Sequence, residues 1–442
     1  MTKQSRLITH RQIMFSVFCF LQASPLFQSL LFSYTAQESW FAIILAALGG
    51  LLGLLPVLFL YRENRGCELC GILKNILGEK VGRCLAFIYL LYFFLRVCAS
   101  VSRFSGFLST NMLQRTPIIV ITGLLVVSCI TCASRGAENL CGMAFLFSAM
   151  LIGYVLLSAP LLANSIRMSN LLPVFTQNPG NYVKGIVTAI AEPFASSMIF
   201  LELFDENESR ESVRSGETPK SKITSAVILG YLLSAGLIIF AVFRDNAVFG
   251  EFSDKITAIS FQAARLISVG EVLSRLELIY AILFVTTVFF RTALTLYCLS
   301  KLLANAAGRG GSTRYVLPFG MLLWGVSMIL FSSNSEMKRW SYISMPFYVW
   351  LFEIILPLVL ATIYGIKSLS GKKDKQTSGI KVKLEHNKDG KSLYIGMMLM
   401  SGVLLTVIVF CFFVFNVQIP GPLKPAMYIA EKVLGLIKKF VK

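Results

Sequence analysis

Two long apolar stretches, each broken at its middle by a polar turn containing proline, constrain this chain more than any other feature. The first, Arg11–Tyr34, is interrupted by Gln22-Ala23-Ser24-Pro25. The second, Lys184–Phe204, is interrupted by Glu192-Pro193-Phe194-Ala195-Ser196-Ser197. Proline removes a backbone donor and clashes with the preceding turn, and lipid offers nothing to satisfy the groups so freed. A single such proline is accounted for by a kink. Two breaks half a chain apart are the arrangement expected where discontinuous helices build a site near the bilayer midplane.

Composition places the chain in a membrane. Hydrophobic residues make up 55% and charged residues 14% of it, far from a soluble domain. About 20 apolar residues make one crossing. Spans are expected near 12–33, 40–61, 84–108, 117–133, 141–163, 184–204, 222–243, 276–300, 315–332 and 343–366, with an eleventh near 393–416 after a long polar interval. The first is not read as a cleaved signal peptide, because no small-residue cleavage site follows it.

Lysine and arginine set the orientation. With the N-terminus cytoplasmic, the inside loops carry Arg62, Arg65, Lys74, Lys80, Arg83, Arg210, Arg214, Lys220, Lys301 and Arg309, joined by the lysines of 367–391; the outside loops carry fewer. The formal net charge of +18 is thus a topology signal, and no nucleic-acid partner is read from it. If spans one to five and six to ten are repeats, their odd number forces opposite orientations. Half-polar segments at Gly66–Gly82 and Ser253–Gly270 then occupy equivalent slots as surface helices. The expected fold is an all-α polytopic membrane protein with an inverted 5+5 helix repeat. It is a transporter-like fold with broken helices one and six, plus an eleventh C-terminal transmembrane helix. Domain limits follow at 1–367 for the ten-helix bundle, 368–391 for a basic cytoplasmic linker, 392–417 for the additional helix and 418–442 for an amphipathic basic tail.

Several stretches carry a resemblance. They are Ile8-Thr9-His10-Arg11-Gln12, then Tyr89-Leu90-Leu91-Tyr92 followed by Arg103-Phe104-Ser105-Gly106-Phe107, then Ser169-Asn170-Leu171-Leu172-Pro173-Val174-Phe175, and finally Ala264–Glu277 ahead of a span with a mid-membrane cation. In this order and spacing the chain resembles the B-subunit, or permease-like, family of endospore germinant receptors, a branch of the amino acid–polyamine–organocation transporter superfamily. The likeness runs over about residues 8–367. It implies partner A and C subunits of a germinant receptor, an amino acid or similar small nutrient as ligand, and a cell or spore inner membrane location. The family pattern ends after ten spans, so Lys367–Lys442 departs from it, and here the acid Glu192 precedes the proline of span six.

Charges within spans are the next signal, since each costs at least about 2.5 kcal/mol at a helix centre. Arg96 and Arg103 share a face of span three with Tyr92, and Arg291 lies midway along span eight. Glu192, Glu202, Glu277 and Glu353 are their candidate partners. Arg103 and Glu202 lie near span ends, where snorkelling suffices; Arg96, Arg291, Glu192 and Glu353 are assigned to an ion or water path. The breaks supply ligand chemistry: a half-helix N-terminus offers free N–H groups to a carboxylate, and unwound carbonyls accept from an ammonium. The ligand-binding set is Gln22, Ala23, Ser24, Pro25, Tyr92, Glu192, Pro193, Phe194, Ala195 and Ser196, whose small side chains suit a free amino acid.

Other chemistries find little support. Cys67 and Cys70, and Cys129 and Cys132, repeat a CxxC spacing, but neither histidine, His10 or His386, stands in a ligand-like spacing. No metal site or cofactor is expected, and no nucleophile, phosphate-loop or zinc-protease motif marks an enzyme. The tail Pro425–Lys442 alternates apolar residues with lysine in the manner of an interfacial helix. Three functions remain open: a receptor subunit that binds a nutrient and signals, possibly through ion gating; a proton-coupled amino acid permease; and a scaffold with a vestigial pocket.

Overall fold

The computed structural model describes residues 8–23, 27–64, 67–172, 177–203, 220–267, 276–308, 312–331, 333, 336–337 and 340–369. Ser24 and Pro25, the body of the 368–391 linker, the additional helix and the basic tail lie outside the described residues. Every regular element among the described residues is helical.

Among the described residues, seven helices are long and apolar enough to cross a membrane: Gln28–Glu63, Glu79–Asn111, Ala137–Leu161, Pro179–Leu203, Ile223–Lys255, Leu276–Ala306 and Met345–Lys367. The others of the first ten expected spans are present in shorter form. Span one is two half-helices, His10–Gln22 and Phe27–Thr35, on either side of its break. Span four is Ile118–Ala133 and span nine is Val316–Ile329. The second half of span one runs into span two, Ser39–Glu63, through a corner at Ala36, whose φ of 44° is in the left-handed region.

Local sequence explains the ends. Thr9 and Gln12 form a reciprocal capping box at the start of span one, with the Thr9 N–H donating to Gln12 Oε1 at 2.8 Å. Gly78, φ 88°, separates the surface helix Leu69–Leu77 from span three, Glu79–Asn111. Gly82 lets the two cross closely: a Cβ there would sit 2.6 Å from the Lys74 backbone. Proline shapes spans six and ten. Span six runs from Pro179–Ala189 into a π-turn over Ile190–Phe194, and span ten carries a π-turn over Trp350–Ile355. Pro193 and Pro357 remove the donors that α-helix geometry would send to the carbonyls of Ala189 and Glu353. Widened turns of this kind gather at functional positions.

The two surface helices report the inverted layout. Leu69–Leu77 packs on span three near its start and on span eight, Leu276–Ala306, near its end. Ile259–Leu266 does the reverse. Its Phe261 meets Phe107 near the end of span three (5.5 Å between ring centroids) and Tyr280 near the start of span eight (6.2 Å). The helices therefore cap opposite ends of the same pair of spans.

Candidate functional site

The break in span six is held by charge. After the π-turn, residues 195–197 are open chain and a short 3-10 turn, Met198–Phe200, resumes the segment. Arg96 of span three spans the opening. Its Nη1 donates to Ala195 O (3.0 Å) and its Nη2 to Ala191 O (3.2 Å) and Ser196 Oγ (2.7 Å). The same Nη1 reaches Tyr92 OH at 3.1 Å and Glu353 Oε1 at 3.0 Å. Glu353 comes from the π-turn of span ten; its other oxygen accepts the Met198 N–H at 3.1 Å. One arginine thus satisfies two carbonyls freed by the break, and one carboxylate satisfies the N–H groups beyond it. In hydrocarbon each such group left bare is worth several kcal/mol.

In this state the polar groups of the break are engaged by the protein itself. The half-helix N-terminus assigned to a ligand carboxylate already holds Glu353, and the unwound carbonyls assigned to an ammonium already hold Arg96. Both tyrosines of the Tyr89–Tyr92 stretch serve this junction. The Tyr89 hydroxyl donates to Phe352 O at 2.9 Å, and Tyr92 stacks on Phe352 at 4.7 Å.

A second ion pair lies beside the first. Arg103 Nη2 meets Glu192 Oε1 at 2.5 Å, and the second oxygen of Glu192 is buried without a hydrogen-bond partner among the described residues. Neither Arg103 nor Glu202 snorkels. Glu202 is buried; its backbone carbonyl accepts from Lys301 Nζ at 2.8 Å and its carboxylate from Asn305 at 3.4 Å. Arg291 is buried with its guanidinium 5.1 Å over the Phe20 ring, in Coulombic range of Glu192, Arg96 and Arg103. Phe20 also meets Phe200 edge-on at 5.0 Å, which ties the two broken spans together.

The other anticipated residues disperse. Gln22 turns away to span seven, Lys220–Phe249, where its amide donates to Ser234 O (3.0 Å) and Ser234 Oγ (3.1 Å). Ala23 is buried and its N–H bonds Phe20 O. Phe194 packs on Tyr231 of span seven at 5.6 Å, against the glycine surface of span two at Gly50. Pro193 is buried within its π-turn.

A profile of the Spore_permease family, described as spore germination protein, matches residues 7–336. The chain belongs to that family. Spore germination protein KB of Bacillus subtilis (strain 168) is 24% identical over 354 residues, covering 78% of this chain and 91% of that protein. Putative spore germination protein YfkT of the same strain is 25% identical over 354 residues, covering 77% and 90%. Among solved structures, a manganese transporter from Eremococcus coleocola in complex with an aromatic bis-isothiourea substituted compound aligns with a TM-score of 0.50 and 12% identity, over 92% of this chain and 94% of that one. A mutant of that transporter gives 0.52 and 13%, over 93% and 95%. At such identity the likeness shows the fold alone, and the fold is transporter-like. This member of the spore germination permease family is a multi-pass membrane protein, and the family is not a class of enzymes.

The sequence missed one group of polar residues near the start of span eight. Arg244, Asp245 and Asn246 were read as loop, but span seven continues as helix to Phe249, and all three are buried. Three consecutive polar residues abutting an apolar run were the available signal.

Proposed function

We propose that this chain is the membrane subunit of a spore germinant receptor, and that a small nutrient, an amino acid in the first instance, binds at the broken helices one and six. The observation that carries the reading is the placement of Glu353. An internal carboxylate bound to Arg96 and to the Met198 N–H occupies the position a ligand carboxylate would take. A ligand carboxylate that replaces it frees span ten from spans three and six, and the release of span ten is the signal. The A and C subunits implied by the resemblance receive it. The N-terminus and the Leu69–Leu77 helix face the cytoplasm, and the cell or spore inner membrane is the site of action.

The test weakens the internal competitor. Glu353→Gln keeps the size and loses the charge, so germination should begin at a nutrient dose lower by about tenfold or proceed without nutrient, while Arg96→Leu abolishes the response at equal protein level. An unchanged dose–response in Glu353→Gln refutes the exchange. A second reading is a proton-coupled permease, in which Glu353, buried in span ten, takes a proton when a ligand carboxylate displaces it from Arg96. Uptake of a labelled amino acid into vesicles driven by a proton gradient separates it from the receptor.

A further inference from the structure

Away from the ion pairs of spans three, six and ten, the structure holds a cavity of about 50 Å³ between spans one, five, seven and eight and the Ile259–Leu266 helix. That is room for about three or four water-sized groups. Among its described lining residues Arg244 alone is charged, with Gln22, Gln28, Tyr154, Ser260, Tyr280 and Thr287 completing the polar part; Leu151, Val155, Ala241 and Phe284 supply an apolar wall.

The polar side is built rather than incidental. Arg244 and Asp245 are 4% and 0% exposed. Arg244 Nε and Nη2 both donate to Asp245 Oδ1, at 2.9 and 2.6 Å, and Nη1 donates to Ser158 of span five. Asp245 Oδ2 accepts from the Ser260 hydroxyl, and Ser260 lies 2.8 Å from the Gln28 amide. Asp245 sits behind Arg244 and neutralises it, so the chamber carries no net charge. A guanidinium has a second N–H on each Nη, and neither is engaged in these contacts. The rings of Tyr154 and Tyr280, 5.9 Å apart, present π-faces, and the glutamine oxygens are acceptors.

We infer that this chamber is a second binding site, specific for a compact zwitterion of glycine or alanine size. The carboxylate meets the spare N–H groups of Arg244, the ammonium meets the glutamine oxygens and tyrosine faces, and the short side chain lies against Ala241 and Val155. A neutral chamber lined by one back-neutralised cation admits a zwitterion without adding buried net charge, whereas a lone anion or cation would add it. The inference stands independently of the central site.

The test uses the full chain in lipid vesicles with Ala241→Cys, which places a thiol on the chamber wall, labelled by a small methanethiosulfonate reagent and compared with the unaltered chain. Glycine or L-alanine at saturating concentration should slow labelling about tenfold. Propionate and ethylamine, each bearing half of the zwitterion, should not. Arg244→Gln should abolish the protection; if that variant fails to insert, Leu151→Trp, which fills the apolar side, should do the same. A thiol that never labels shows a sealed chamber and overturns the proposal. So does equal protection by propionate alone, or protection that survives Arg244→Gln or Leu151→Trp but is lost in Arg96→Lys, which would place the ligand at the central site.

Discussion

The two broken spans are braced by different chemistry. At span six, Arg96 and Glu353 tie the opened backbone to spans three and ten through charge-assisted bonds. At span one the described flanks are tied by neutral amides: Gln22 to Ser234 of span seven, and Gln28 to Ser260 of the Ile259–Leu266 helix. A neutral hydrogen bond contributes about 1 kcal/mol net. Removing one partner of a buried ion pair costs about 3–5 kcal/mol, because the other charge is stranded. Span six is therefore the partner that opens only when a competing charge replaces Glu353, and the flanks of span one are the contacts that open more readily without one.

The largest effect that could break this contrast is at Arg96. Arg96→Leu strands Glu353 and two carbonyls, so the folded protein should lose about 3–5 kcal/mol, read as a drop in the temperature at which it leaves solution in detergent. The double variant Arg96→Leu with Glu353→Leu should recover part of that loss, since neither charge is then stranded. Arg96→Leu as stable as the unaltered chain would remove the distinction altogether.

Next in size is Gly230→Ala. A Cβ at Gly230 meets the Met14 backbone oxygen and lies 3.1 Å from Val17 Cβ, so the first half of span one must move off span seven. Overpacking of this kind costs about 1–3 kcal/mol. The nutrient response should shift more than the insertion of the protein, because the displacement falls on the half-helix that leads into the break of span one.

Gln22→Leu should cost about 1 kcal/mol, through the loss of its bonds to Ser234. Hydrogen exchange should then rise in the first half of span one and stay unchanged across Ile190–Phe194. Equal rises at both breaks would show that the two are braced alike.

The smallest effect is expected for Ser260→Ala, which releases Gln28 and one oxygen of Asp245 while Arg244 still holds the other. A loss of about 1 kcal/mol or less, with faster reagent access to the Ile259–Leu266 end, sharpens the contrast. A loss as large as that of Arg96→Leu would place both ends of the molecule under charge control.

Much of the fold was legible because its signals are local. Pro193 announces its own break, since a missing N–H acts within one turn of chain. The slots of Gly66–Gly82 and Ser253–Gly270 were visible as half-polar intervals, and helices Leu69–Leu77 and Ile259–Leu266 occupy them. Span ends were harder to delimit: the apolar run of span seven stops at 243, yet its helix continues to Phe249 because Arg244 and Asp245 pair with each other inside the protein, which a hydropathy window cannot register. The π-turn of span ten also escaped notice, although Pro357 lay four residues beyond Glu353.

The sequence by itself determined that this is a membrane protein, where its helices break, and that Arg96, Arg291, Glu192 and Glu353 lie within spans, because hydropathy and proline act along the chain. Only the tertiary structure decided which charges meet. Arg96 chose Glu353 from a span some 250 residues away; Arg103, expected to snorkel, took Glu192; and Arg291 came to rest over Phe20. Such pairings depend on how spans rotate and lean against one another, and at these energies the arrangement that strands no charge prevails.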